Sequence, residues 1–248
     1  MLRTFGGGSL FGARSGEGVP VVLALHGWAR THRDFDAALR GFDAIAVDLP
    51  GFGATPPPTG VWGAADYAAC VAAVLDDMAV PVVVVGHSFG GRVAVHLAAQ
   101  RPAAVRALVL AGVPLLRVAP RRRPPAGFRL VRRLHRAGIV GEARMEAARV
   151  RYGSSDYRAA EGIMRQVHVK AVNETYEREL DVLDCPVTLV WGDDDATVPP
   201  AVAEAALERL RRGRAGERAR LEICHGAGHM LPLRAPADLR AAVGEHLP

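Results

Sequence analysis

The chain has 248 residues, of which 50% are hydrophobic and 23% charged, and its formal net charge is +5. This length and composition are typical of one soluble α/β domain that buries a full core, with room for an insertion. No apolar run approaches the roughly 18 residues that a membrane-spanning helix needs. Glycines at 6–8 also interrupt the N-terminus before a signal-peptide core. We therefore predict a cytoplasmic protein without an integral membrane segment.

Strand-like apolar runs recur along the chain, and helix-like segments separate most of them. The runs are Val21–Leu25, Ala44–Val47, Val82–Val85, Ala107–Leu110, Val187–Trp191 and Arg220–Ile223. The helix-like segments are Asp66–Met78, Arg92–Gln100, Ala201–Arg212 and Pro236–His246. This alternation predicts a doubly wound, mostly parallel sheet covered on both faces. Before the first run, Thr4–Ala13 predicts a short antiparallel hairpin.

The alternation stops between Leu110 and Val187, an interval of about 75 residues that is too long for a simple connection. Several prolines open the interval, and helix-like stretches follow over 128–151 and 156–183. We predict an inserted helical cap over the strand ends. The predicted organisation is an α/β core of residues 1–112 and 185–248, with the cap at 113–184.

The segment Gly86-His87-Ser88-Phe89-Gly90 follows an apolar strand and precedes a helix. Strand, Gly-x-Ser-x-Gly and helix together are the sequence form of a nucleophile elbow. Glycines on both sides allow the tight turn that holds a serine hydroxyl clear of the sheet. Ser88 is therefore a candidate nucleophile for acyl transfer.

The C-terminal half supplies an acid and a base in the chain order that this architecture requires, serine first, then aspartate or glutamate, then histidine. Three adjacent carboxylates, Asp193, Asp194 and Asp195, follow one strand, and His225 and His229 follow the next. Both groups lie on loops at the carboxyl ends of strands, where open α/β sheets build their sites.

Five motifs in this order resemble the α/β-hydrolase superfamily, in its capped branch of cofactor-free esterases and C–C hydrolases. They are His26-Gly27-Trp28, Asp48-Leu49-Pro50-Gly51-Phe52-Gly53, Gly86-His87-Ser88-Phe89-Gly90-Gly91, the run from Trp191 to Pro199, and Gly226-Ala227-Gly228-His229. The resemblance implies a doubly wound fold, Ser88 as nucleophile, His229 as base and Asp195 as orienting acid. It also implies an oxyanion hole formed by the backbone N–H groups of Trp28 and Phe89, with no cofactor and no metal.

The residues themselves leave several roles open. Asp193 and Asp194 are alternative acids, although three adjacent carboxylates cannot all face one imidazole. His225 is an alternative base, which we interpret as structural, and His87 is interpreted as orienting the elbow. The Trp28 ring either lines an acyl pocket or packs in the core. Serine in place of aspartate at the elbow argues against dehalogenase and epoxide hydrolase chemistry.

The predicted cap is rich in arginine, with Arg121-Arg122-Arg123 followed by Arg129, Arg132, Arg133 and Arg136. A solvated helix face in a GC-rich genome, a site for an anionic substrate, and adhesion to an anionic membrane or nucleic acid are all open interpretations. Arg, Ala, Gly and Pro are all abundant, which fits a GC-rich coding bias and weakens the argument for nucleic acid, so we predict no such partner. The three cysteines, Cys70, Cys185 and Cys224, are predicted to be buried thiols.

The leading hypothesis is a serine hydrolase that cleaves a small or medium carboxylic ester, with a small acyl compound, anionic in one interpretation, as its partner. A C–C bond hydrolase, a thioesterase, a lactonase or an amidase on the same triad is an alternative. A non-catalytic ligand-binding protein on this fold is a third hypothesis, from a different functional class.

Overall fold

The fold is built around one eight-stranded sheet. A computed structural model describes residues 1–79, 81–118 and 123–247. The strands in chain order are β1 (Leu2–Phe5), β2 (Leu10–Ser15), β3 (Val22–Leu25), β4 (Ala44–Asp48), β5 (Val82–His87), β6 (Val105–Ala111), β7 (Val187–Gly192) and β8 (Ala219–Cys224).

The strand order across the sheet is β1-β2-β4-β3-β5-β6-β7-β8. β1 pairs with β2 and β2 with β4 in antiparallel fashion, and every other pair is parallel. The first two strands form the predicted N-terminal hairpin, which extends two residues beyond the predicted range Thr4–Ala13 at either end. The predicted fold class, a mostly parallel sheet with flanking helices, is confirmed.

Helices cover both faces of the sheet. They are α1 (Ala64–Val71), α2 (Phe89–Gln100), α3 (Ala126–Arg136), α4 (Glu142–Tyr152), α5 (Ser155–Ala159), α6 (Gly162–Ala171), α7 (Glu177–Val182), α8 (Pro200–Arg212), α9 (Leu231–Arg234) and α10 (Pro236–Gly244). Short 3-10 helices occupy His32–Phe35, Ala72–Asp77, Pro102–Ala104 and Gly216–Arg218.

The apolar core is divided into two layers by the sheet. On β3, Leu23 and Leu25 pack into one layer, while Val22 and Ala24 pack into the other. This alternation follows from the two-residue period of a strand. The first layer contains α1, α2 and α8, and the second contains α9, α10 and the 3-10 helix at His32–Phe35. Both faces of the central strands are buried, which is why they are apolar throughout.

Three of the predicted helices were wrong in their continuity. The stretch 128–151 forms two helices, α3 and α4. α3 ends at Arg136, shortly before Gly138 with its φ of 73°, and α4 begins after its N-cap residue, Gly141. The stretch 156–183 is three helices, α5, α6 and α7. The predicted helix Asp66–Met78 is α-helical only from Ala64 to Val71 and continues as a 3-10 helix.

Helices α3–α7 all lie between β6 and β7, in the interval where the alternation of strand and helix stops. The contacts that tie α6 to the core include one to the turn after β4 and one to α2. The Met164 side chain packs on Gly51, where an added Cβ would lie 2.3 Å from the Met164 sulfur. The Arg92 guanidinium of α2 donates to the carbonyl of Ala171 at 2.6 Å. Arg121 and Arg122, which the sequence marks as basic, lie outside the described residues.

Candidate active site

Ser88 stands on a strained turn between β5 and α2. Its φ of 48° and ψ of −111° are unusual for a residue with a side chain. The turn closes tightly, since a Cβ on Gly86 would lie 2.5 Å from the Gly91 Cα and a Cβ on Gly90 would lie 2.1 Å from the Leu25 carbonyl oxygen. Positions 86 and 90 therefore have no room for a side chain, and both must be glycine.

The structure brings Ser88, His229 and Asp195 together at the carboxyl edge of the sheet. The Nε2 of His229 lies 3.1 Å from the Ser88 hydroxyl oxygen, and its Nδ1 lies 2.7 Å from Oδ2 of Asp195. A carboxylate beside Nδ1 makes that nitrogen the proton carrier, so Nε2 faces the hydroxyl with its lone pair. The Asp195 side chain is 0% exposed and that of His229 is 17% exposed. This arrangement can remove a proton from the serine.

Asp195 is oriented by its own loop. Its Oδ1 accepts hydrogen bonds from the N–H groups of Thr197 and Val198, both at 2.8 Å. The carbonyl of Val198 in turn accepts a hydrogen bond from the indole of Trp191, also at 2.8 Å. One carboxylate oxygen is thus occupied by backbone donors, which leaves the other directed at His229.

The two neighbouring carboxylates face the loop that carries His229. Asp193 Oδ1 accepts the N–H of Gly226 at 2.8 Å, and its Oδ2 lies 2.8 Å from Nδ1 of His225. Asp194 Oδ1 accepts the N–H of Gly228 at 2.6 Å. The carboxylates at 193, 194 and 195 therefore contact successive parts of one loop, residues 225–229, which we call the base loop. The alternative base, His225, is exposed and its Nδ1 contacts Asp193, whereas the ring nitrogen at Ser88 belongs to His229.

Two glycines, Gly192 and Gly112, leave the space that the base loop occupies. A Cβ on Gly192 would lie 2.3 Å from the Gly228 carbonyl oxygen, and a Cβ on Gly112 would lie 3.2 Å from Nδ1 of His229. Gly112 also has a φ of 57°. The acid loop and the base loop approach each other this closely only because position 192 carries no side chain.

His87 also holds the base loop, from the nucleophile side. Its Nε2 donates to the carbonyl oxygen of His229 at 2.8 Å, while its Nδ1 is buried without a hydrogen-bond partner among the described residues. The ring lies against Gly27, where a Cβ would be 2.8 Å from Nδ1. Burial, with the nearby His229 as a smaller cause, lowers the pKa of His87 to about 4, so the ring is neutral at pH 7.

The two oxyanion candidates belong to backbone segments next to Ser88. Phe89 is the first residue of α2, so its N–H has no partner within the helix and points out of the positive helix end. Trp28 follows Gly27, where an added Cβ would lie 3.4 Å from the Ser88 Cβ. The loop that carries Trp28 therefore passes beside the nucleophile.

His26 fixes this loop. Its Nε2 accepts the N–H of Leu49 at 2.9 Å, and its Nδ1 donates to the carbonyl of Gly27 at 2.7 Å. Burial lowers the pKa of His26 to about 4, which keeps Nε2 free to accept. The Leu49 N–H would lose its acceptor if the ring were protonated.

The Trp28 ring packs among aromatic side chains rather than in the centre of the core. Its centroid lies 4.9 Å from that of Phe52, 5.4 Å from that of Phe89 and 4.8 Å from that of His168 on α6. The ring is only partly buried. Trp28 thus joins the loop beside Ser88 to the helices between β6 and β7.

Two of the three cysteines, Cys185 and Cys224, are buried, Cys70 is half-buried, and all three are free thiols. Burial raises the pKa of Cys185 and of Cys224 to about 11, so neither is a thiolate at pH 7. Among residues 1–79, 81–118 and 123–247, no three His, Cys, Asp or Glu side chains form a cluster that could hold a metal ion.

Sequence reasoning missed the three hydrogen bonds that hold the base loop by its backbone, from Asp193, Asp194 and His87. It left Asp193 and Asp194 as alternative acids and interpreted His87 as a residue that orients the elbow. One signal was available, namely that three acids precede Gly226-Ala227-Gly228, a segment with two glycine N–H groups that need acceptors. The contact from His87 had no signal, because it joins residues 142 positions apart.

Comparison with known proteins gives consistent likenesses. Residues 21–242 match the model of the alpha/beta hydrolase family. A pimeloyl-[acyl-carrier protein] methyl ester esterase of Neisseria meningitidis serogroup A is 31% identical, over 92% of this chain and 76% of that protein. A 2-hydroxy-6-oxononadienedioate/2-hydroxy-6-oxononatrienedioate hydrolase of Pseudomonas sp is 26% identical over 77% of each. A thermophilic esterase structure from Thermogutta terrifontis has a TM-score of 0.66 at 23% identity, covering 99% of this chain and 97% of the other, and so shares the fold.

Proposed function

This chain belongs to the alpha/beta hydrolase family, and from that membership we propose that it is a serine hydrolase that cleaves a small or medium carboxylic ester. The proposed triad is Ser88 as nucleophile, His229 as base and Asp195 as orienting acid. The observation that carries this proposal is the continuous chain of short contacts from Ser88 Oγ through both ring nitrogens of His229 to Asp195.

In the acylation step, the Ser88 oxygen attacks the ester carbonyl carbon while Nε2 of His229 takes the hydroxyl proton. The carbonyl π electrons move to the oxygen and give a tetrahedral intermediate. When the intermediate collapses, the bond to the alkoxy oxygen breaks, and His229 gives its proton to the leaving alcohol. The product that remains is an acyl ester of Ser88.

Deacylation repeats the sequence with water. His229 removes a proton from the water as its oxygen attacks the acyl carbon, and then returns that proton to the Ser88 oxygen as the acid leaves. Asp195 stabilises the imidazolium in both half-reactions because its Oδ2 lies beside Nδ1 in a site without solvent access to that carboxylate.

The proposed oxyanion hole consists of the backbone N–H groups of Trp28 and Phe89. The end of α2 adds a partial positive charge at the Phe89 side. Such a donor is worth on the order of 10²–10³ in rate. Both donors belong to the backbone, so a side-chain substitution at either position tests the shape of the site rather than the donor.

We propose that residues 113–184 form a cap that selects the substrate. The tilted contact between the rings of His168 and Trp28 supports this, because it places an α6 side chain one ring away from the proposed oxyanion loop. The methyl ester esterase activity for which the Neisseria relative is named favours a methyl or similar small alkyl ester of a longer acyl group. The Pseudomonas relative keeps C–C bond hydrolysis as the second candidate, and thioesters and lactones need the same triad.

The decisive test is labelling followed by turnover. Wild-type protein and the Ser88→Ala variant are treated with a fluorophosphonate probe, and the labelled peptide is identified by mass spectrometry. We expect labelling at Ser88 in the wild type and none in the variant. A panel of p-nitrophenyl esters, thioesters, lactones and a vinylogous 1,5-diketone then ranks substrates by kcat/KM. Full turnover in Ser88→Ala would refute the serine mechanism.

A cytoplasmic location remains part of the proposal. No helix in the described part of the chain is long and apolar enough to cross a bilayer. The three free thiols fit a reducing compartment. Fractionation of the producing cells, with the protein detected in the cytosolic rather than the extracellular fraction, tests it.

A further inference from the structure

The positive charge of this protein is concentrated in one region. Residues 113–180 contain 14 arginines and one lysine against seven acidic residues, so the region is more positive than the whole chain, whose net charge is +5. The rest of the molecule is net negative. Such a separation of charge orients a protein in the field of an anionic surface, with the positive region leading.

Helix α3 contributes four of these arginines and no acidic residue. Arg129, Arg132, Arg133 and Arg136 are all exposed. None of the four forms an ion pair with a described residue, whereas Arg149 and Arg165 on the neighbouring helices are both paired with Glu146. Paired arginines cancel their charge locally, and the four on α3 do not.

The inner side of α3 packs against the rest of the protein. Phe128, Val131 and Leu134 are half-buried, and α3 packs against α4, with the Phe128 ring 6.1 Å from that of Tyr152. The helix has no fully buried residue, so it lies at the outside of the molecule. Its outward side, which consists of the four arginines with Ala126 and Leu130, is called here the α3 arginine face.

The α3 arginine face combines charge with exposed apolar surface. Its six residues line a recess of about 440 Å³. Leu130 is 59% exposed within the recess, and Ile139 is 70% exposed just beyond the end of the helix. Single exposed apolar residues are ordinary on a protein surface, but beside arginines without an ion-pair partner they suit a boundary where a phosphate layer meets an apolar interior.

We propose that the α3 arginine face docks this protein on an anionic phospholipid surface. The guanidinium groups would bind headgroup phosphates, for which their planar donor pairs are suited, and Leu130 would enter the acyl boundary. Each basic residue near such a surface strengthens binding by roughly fivefold, so the four together account for a factor on the order of 10²–10³. Docking would hold residues 113–184 against the lipid.

The test measures binding, and therefore does not depend on whether the proposed esterase activity is correct. Full-length protein is sedimented with vesicles of phosphatidylcholine alone or with 30–40% phosphatidylglycerol, at about 0.05 M and about 1 M salt, where the screening lengths differ severalfold. One variant carries Arg129, Arg132, Arg133 and Arg136→Gln. A matched control carries Arg3, Arg33, Arg101 and Arg106→Gln, which removes the same charge from exposed positions elsewhere.

We expect wild type and the matched control to bind the phosphatidylglycerol vesicles at low salt and to release them at high salt. The α3 variant should lose that binding by at least a hundredfold, and Leu130→Ser should weaken it less. Circular dichroism establishes that each variant is folded. Equal loss in the matched control would assign the effect to net charge and overturn the proposal. No vesicle binding by the wild type, with binding to a soluble acidic protein or to DNA, would overturn it as well.

Discussion

His87 donates a hydrogen bond from Nε2 to the carbonyl oxygen of His229 over 2.8 Å, which joins the residue before the proposed nucleophile to the backbone of the proposed base. The other ring nitrogen of His87, Nδ1, is buried and has no hydrogen-bond partner among the described residues. Leaving such a group unpaired costs about 1–3 kcal/mol. The hydrogen bond from Nε2 of His87 holds the His229 ring close to Ser88.

Replacing His87 should therefore lower the rate of the chemical step. In His87→Leu the base loop loses its support from the nucleophile side, and we expect kcat for p-nitrophenyl acetate to fall by roughly 10–100-fold with little change in KM. In His87→Gln the amide can still donate to the His229 carbonyl, so most of kcat should return. The control is a thermal melt of both variants, and an unchanged kcat in folded His87→Leu would contradict the assignment.

The three adjacent carboxylates should differ sharply in their effect on catalysis. Asp195→Asn removes the charge beside Nδ1 of His229 and favours the wrong tautomer, so we expect kcat to fall by roughly 10³–10⁴-fold. Asp194→Asn weakens one backbone hydrogen bond to Gly228 and should cost about tenfold or less. Steady-state kinetics on the two isosteric variants checks this, and similar losses in both would show that Asp195 has no special role.

Gly192 should be intolerant of any side chain. In Gly192→Ala the new Cβ would lie 2.3 Å from the Gly228 carbonyl oxygen, so the base loop must move away from the acid loop. We expect a loss of about 1–3 kcal/mol in the free energy of unfolding together with a lower kcat. Gly60→Ala is the matched control, because a Cβ at position 60 would make only ordinary van der Waals contact, 3.9 Å from the Trp62 ring. Urea titration of both variants measures the difference.

Acid should destabilise the fold through two buried imidazoles. Burial lowers the pKa of both His26 and His87 to about 4, below the ordinary value of 6.5. Between pH 6.5 and 4 the unfolded chain binds protons that the folded chain does not. The free energy of unfolding therefore falls as the pH drops through this window, by about 3 kcal/mol for each histidine at its lower end.

Urea titrations at pH 7, 5.5 and 4.5 measure this loss, and His87→Gln should show a shallower decline than the wild type because it lacks one of the two groups. Carboxylates that titrate below pH 5 contribute equally to both proteins, so the difference between the two curves isolates His87. Parallel curves would mean that the ring is not held neutral by the fold.

The features that the sequence predicted are those with a local or periodic signature. Apolar runs gave the strands of the sheet from Val22 to Cys224, and glycines around Ser88 indicated the elbow. A serine, a group of acids and two histidines follow strands whose ends lie at the same sheet edge, and this order indicated a triad. The choice of Asp195 and His229 among the candidates came from the family resemblance.

What the sequence did not reveal depends on distance in three dimensions. The bond from His87 to the His229 carbonyl and the packing of Met164 on Gly51 join parts of the chain with no common pattern. A helix ends at a residue such as Gly138 when the local preference for a turn outweighs the packing that a longer helix would gain. A period of 3.6 residues continues through such a break, so apolar spacing alone did not locate it.

The parallel pairing of β6 with β7, in which Leu108 lies opposite Val187, has a consequence for engineering. Parallel neighbours require the chain to return from one end of the sheet to the other, and here α3–α7 make that return. α7, whose Leu180 is fully buried, packs against both α2 and α8 and forms the last part of the path. A shortened or chimeric version can exchange α3–α6 for other helices, but its splice point must lie before Glu177, so that the replaced piece stays upstream of the return helix.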